Sequence, residues 1–68
     1  MNEEVFNLEV RKFLKKFGVT AQREIEKAVD GALKAGKLQG NERLKAEARL
    51  KIEPLGAEIL VDGEISLA

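Results

Sequence analysis

Two hydroxyls, Thr20 and Ser66, are all the chain offers to a nucleophilic mechanism, and no imidazole, thiol or phenol exists in the sequence to activate either. The closest carboxylate pairs, Glu3-Glu4 and Glu24-Glu26, fall in charged stretches where nothing would raise a pKa toward acid–base work. Without Cys or His there is no thiolate or imidazole ligand for zinc and no disulfide. Gly36-Lys37 lacks the upstream glycine spacing and the following Ser or Thr of a phosphate-binding loop. The sequence therefore names no catalytic residue, no metal ligand and no cofactor, and a non-enzyme is expected.

Charge gives the next candidates. Arg43, Lys45, Arg49 and Lys51 recur every second or fourth residue, with Lys34 and Lys37 just upstream, a pattern able to follow a phosphate backbone. The competing explanation is neutralisation by Glu58, Asp62 and Glu64, which alternate in the same way further on and leave no need for a ligand. All three Phe lie elsewhere, so no aromatic platform accompanies the basic residues. The totals, 12 Lys+Arg against 12 Asp+Glu, remove any broad attraction to nucleic acid or anionic membrane. Neutralisation is the stronger reading, and nucleic-acid association through Arg43, Lys45, Arg49 and Lys51 the alternative. Arg11, Lys12, Lys15 and Lys16 form a second patch, explained well enough by favourable charge near a helix C-terminus.

The elements that position these residues follow from periodicity. Phe6, Val10, Phe13, Leu14 and Phe17 have the spacing of one helical stripe, with Asn2 as N-cap and Gly18 as stop, which predicts a helix over about 3–17. Thr20 then reads as a second N-cap, and Ala21, Ile25, Ala28, Val29, Ala32 and Leu33 as a second stripe, over about 21–35 with Gly36 as its stop. Helix, Gly18-Val19-Thr20, helix superficially suggests a helix-turn-helix. Glu24, Glu26 and Asp30 would then face phosphates, so an ordinary αα-hairpin is the better expectation.

After Gly40-Asn41-Glu42 the period changes to two. Leu44, Ala46, Ala48, Leu50 and Ile52 alternate with charged residues, predicting a strand over about 43–52. Glu53-Pro54-Leu55-Gly56 has turn chemistry, and Ile59, Val61, Gly63, Ile65 and Leu67 predict a second strand over about 58–67. Asp62-Gly63 allows either a local turn or a bulge within that strand. Two registers are open, Lys51 opposite Asp62 with Arg49 opposite Glu64, or Lys51 opposite Glu58 with a tighter loop. The expected fold is a single α+β domain over 1–68, two antiparallel helices packed on one face of a C-terminal antiparallel β-hairpin.

At 68 residues and without staples, such a domain holds only a thin core, which favours oligomerisation. A homodimer or another protein partner is the expected mode of action. Leu8 and Leu60 break the pattern of their elements by pointing away from the expected core, which suits a contact surface. The longest apolar run, Ile59-Leu60-Val61, is far too short for a membrane span, and the acidic start carries no signal-peptide pattern, so a soluble cytoplasmic protein is expected.

In combination, MNEEVFN at the start, RKFLK (Arg11 to Lys15), GVTAQREIEKAV (Gly18 to Val29), GKLQGNE (Gly36 to Glu42) and the closing GEISL resemble a family of small uncharacterised bacterial proteins, a domain of unknown function. The resemblance spans essentially the whole chain. It implies a bacterial, cytoplasmic, single-domain protein and supplies no activity or site residue.

Overall fold

A computed structural model describes all residues from 1 to 68 in the order α1 (Glu3–Lys34), β1 (Arg43–Ile52), β2 (Ala57–Ser66). The chain divides into two units, Met1–Lys37 and Leu38–Ala68.

The first unit is one α-helix of 32 residues. Two expected helices, about 3–17 and 21–35, are thus replaced by one, and neither the αα-hairpin nor the helix-turn-helix exists. Gly18 does not stop the chain because it keeps a negative φ, as every glycine except Gly36, Gly40 and Gly56 does. A glycine inside a helix costs about 1 kcal/mol relative to alanine. That local cost is smaller than the loss of hydrogen bonds a break would bring, and the apolar stripe is in phase on both sides of it. Thr20 is therefore an interior residue of α1 and not an N-cap.

The real ends match their residues. Asn2, in extended backbone, accepts a hydrogen bond from Val5 N at 3.1 Å through its side chain, and Glu3 and Glu4 occupy the first turn. At the other end Gly36 N–H donates to Leu33 O at 3.1 Å and Lys37 N–H to Ala32 O at 2.9 Å. This crossed pair is the Schellman arrangement, which needs the left-handed backbone that Gly36 adopts at φ 76°. Three exposed ion pairs, Glu9–Lys12, Glu24–Lys27 and Asp30–Lys34 (3.7, 3.6 and 3.0 Å), lie along α1. Each contributes only a few tenths of a kcal/mol.

The second unit is a two-stranded antiparallel hairpin. Its register sets Lys51 against Glu58 and Ile52 against Ala57, closed by Glu53-Pro54-Leu55-Gly56. Of the two open registers, the tighter loop is the one adopted. Gly56 turns the chain at φ 67°, and the Glu53–Pro54 peptide is cis. Pairing runs unbroken through Glu47↔Asp62 and Ala46↔Gly63, so Asp62-Gly63 is neither a turn nor a bulge. β1 spans the expected residues, and β2 begins and ends one residue earlier than expected. Leu67 N–H donates to Glu42 O at 2.9 Å, extending the ladder beyond β2.

Candidate functional site

On α1 the large apolar residues form a single seam. Phe6, Val10, Phe13 and Phe17 continue without loss of phase into Ala21, Ile25, Ala28 and Ala32, with Leu14 and Val29 along one side. At a rise of 1.5 Å per residue the seam is about 39 Å long. None of its residues is buried; Phe6 is 52% exposed and Phe13 53%. Its two halves differ in volume, aromatic before Gly18 and mostly alanine after it.

The hairpin has one apolar and one charged face, because directly paired residues point the same way. Leu44, Ala46, Ala48, Leu50 and Ile52 oppose Ile65, Gly63, Val61, Ile59 and Ala57, giving ten uncharged positions on one face. None of these is fully buried.

The four basic residues singled out in the sequence lie together on the other face, interleaved with carboxylates. Lys45 pairs with Glu64 and Lys51 with Glu58 in register. Arg43 reaches Glu64 at 3.9 Å, and Arg49 reaches Glu47 at 3.0 Å and Glu58 at 3.6 Å. One pair runs against this pattern, since Glu47 opposes Asp62 and like charges directly opposite are destabilising. The Arg49 guanidinium beside Glu47 offsets part of that repulsion. No cluster of carboxylates suited to a metal ion forms.

Leu60 lies on this charged face opposite Arg49 and is 57% exposed, while Leu8 lies on α1 and is 56% exposed. The two belong to separate units; Leu60 sits among polar neighbours, and Leu8 lies one helical turn from the exposed Val5. Thr20 is within α1, and Ser66 closes β2 with its hydroxyl donating to Ala68 O at 2.6 Å. Glu42 holds the segment that enters β1. Its carboxylate accepts from Gln39 N at 2.8 Å and Gly40 N at 3.0 Å, and these backbone donors, Gln39 first, hold its carboxyl below the usual glutamate value.

Across its whole length, residues 1–68, the sequence matches a family of unknown function, DUF6494. The chain belongs to that family. No curated protein and no solved structure matches it significantly. The DUF6494 assignment agrees with the resemblance carried by MNEEVFN, RKFLK, GVTAQREIEKAV, GKLQGNE and GEISL. No helix of this DUF6494 chain is long and apolar enough to cross a membrane.

The surface that the sequence reading divided is the continuous α1 seam. Its signal was present: Phe17 and Ala21 are four apart and in phase, so one helix accounts for both stripes at once. Treating Gly18 and Thr20 as a stop and a cap split it into two halves and assigned both to an intramolecular core.

Proposed function

We propose that this chain is a non-enzymatic protein-interaction module that works by self-association. One observation carries the reading: α1 presents an apolar seam about 39 Å long with no buried residue along it. Helix stability in proteins comes mainly from packing an amphipathic face, and a lone two-stranded hairpin is marginal in water. Each half-exposed Phe that becomes covered contributes about 2 kcal/mol. A second copy supplies such cover with no further component, and closed homo-oligomers are the commonest assemblies.

The test is sedimentation equilibrium of the purified chain over a wide concentration range in moderate salt. The reading requires a mass that is a multiple of the 7.5 kDa protomer and falls on dilution. A strict monomer at all concentrations overturns it.

A further inference from the structure

The seam has a property that self-association alone does not demand. From Phe6 to Ala32 its steps are four, three, four, four, four, three and four residues, a series that reads identically from either end about position 19. A twofold axis across two antiparallel helices imposes that symmetry, since residue i of one copy must meet residue 38 − i of the other. The pairs so formed are Phe6 with the partner's Ala32, Val10 with Ala28, Phe13 with Ile25, and Phe17 with Ala21 of the partner subunit. Each sets a larger side chain from the first half against a smaller one from the second, as interdigitating layers require.

Charge beside the seam points the same way. Projected at 100° per residue, Glu24 borders the seam on one side, Glu9 and Lys27 lie next to it, and Lys16 lies furthest round on that side. Antiparallel pairing brings Lys16 near the partner's Glu24 and Glu9 near the partner's Lys27. Parallel pairing would instead crowd three Phe layers at one end and leave alanine layers underfilled at the other. Opposed macrodipoles also favour the antiparallel arrangement. The mean step, about 3.7 residues, is close to that of an eleven-residue repeat, so the seam winds slowly around α1 and two helices follow it throughout with a right-handed supercoil.

We propose that two copies of this chain dock α1 against α1, antiparallel, with the twofold axis at position 19. The inference rests on the self-association reading and adds the surface, direction and register.

Because the chain has no cysteine, one introduced thiol carries one spin label. Asn7→Cys and Gln22→Cys, labelled separately, are measured by pulsed electron–electron dipolar spectroscopy, with sedimentation on the same samples. In the antiparallel register Asn7 faces position 31 of the partner, so its two labels lie about 36 Å apart along the axis, whereas those at Gln22 lie only about 9 Å apart along it. The expected result is a long Asn7 distance and a short Gln22 distance at dimer mass. Short distances at both sites, or any other pattern at dimer mass, overturn the antiparallel register while leaving self-association standing. A monomeric unlabelled chain overturns both. Should labelling itself dissociate the dimer, unlabelled charge exchange decides: Lys16→Glu and Glu24→Lys each weaken association severalfold and their combination restores it. Failure of the combination to restore association overturns the register.

Discussion

Phe13 and Leu8 on α1 are almost equally exposed, 53% and 56%, yet replacing each by alanine has different expected consequences. Phe13 lies on the seam and Leu8 on the opposite side of the helix. A Phe side chain has about 200 Å² to bury, so covering the exposed half removes about 100 Å² from water, which at about 25 cal/mol per Å² gives about 2.5 kcal/mol. Alanine retains a little of this, leaving about 2 kcal/mol lost per protomer. Against that loss, alanine is the better helix former by about 0.5 kcal/mol. The net is about 1.5 kcal/mol per protomer, about 3 kcal/mol per dimer, or roughly 100-fold in dissociation constant. Leu8→Ala loses no partner contact and changes association by less than about twofold. Sedimentation equilibrium of the two variants beside the parent reads both numbers. The sign is diagnostic: if no partner covers the seam, only the propensity gain remains, and Phe13→Ala is at least as helical and as stable as the parent. That result would refute the reasoning.

Gly31 lies within α1, has helical backbone, and a Cβ built on it meets nothing within 4 Å. Gly31→Ala therefore raises stability by about 1 kcal/mol and Tm by roughly 4–8 °C in thermal unfolding followed by circular dichroism. Glu42 has a lowered carboxyl pKa in the folded chain, chiefly from the Gln39 N–H, so its contribution is present above the unfolded pKa and lost as pH falls through the folded one. In an NMR titration Glu42 protonates below the usual glutamate value, and the protection of the Gln39 and Gly40 amides, taken relative to their intrinsic exchange rates, is lost only below that point; Glu42→Ala removes the protection at neutral pH. Arg49 lies between Glu47 and Glu58, so Arg49→Glu destabilises the hairpin by up to about 1 kcal/mol, less at high salt. The same face gives no anisotropy change with labelled duplex or single-stranded nucleic acid at low salt. A rise that disappears with added salt and with Arg49→Glu plus Lys51→Glu would instead support phosphate binding through this strand.

Period-two alternation made β1 legible to the residue and β2 to within one, because Leu44 to Ile52 and Ile59 to Leu67 leave a half-buried strand as the simple reading. The ends of α1 were legible through Asn2 and Gly36, whose conformations depend on the residue alone. Its middle was not. Gly18 and Thr20 have the right types for a stop and a cap, and local chemistry cannot show that in-phase apolar residues on both sides outweigh a cost of about 1 kcal/mol. The hairpin register lay beyond the sequence because two alignments gave favourable charge pairs, and the four-residue Glu53–Gly56 loop decided between them. For the candidate site the residues were visible individually, from Phe6 to Ala32, but splitting the helix concealed that they form one seam with mirror-symmetric spacing.

The central claim, that α1 is completed by a second copy, is tested most directly by following mass and helicity through one dilution series, with sedimentation and far-ultraviolet circular dichroism on the same samples. The account predicts that both fall together, with one apparent dissociation constant, because the seam that joins the copies is also what sustains the helix. Full helicity retained in a 7.5 kDa monomer would contradict it.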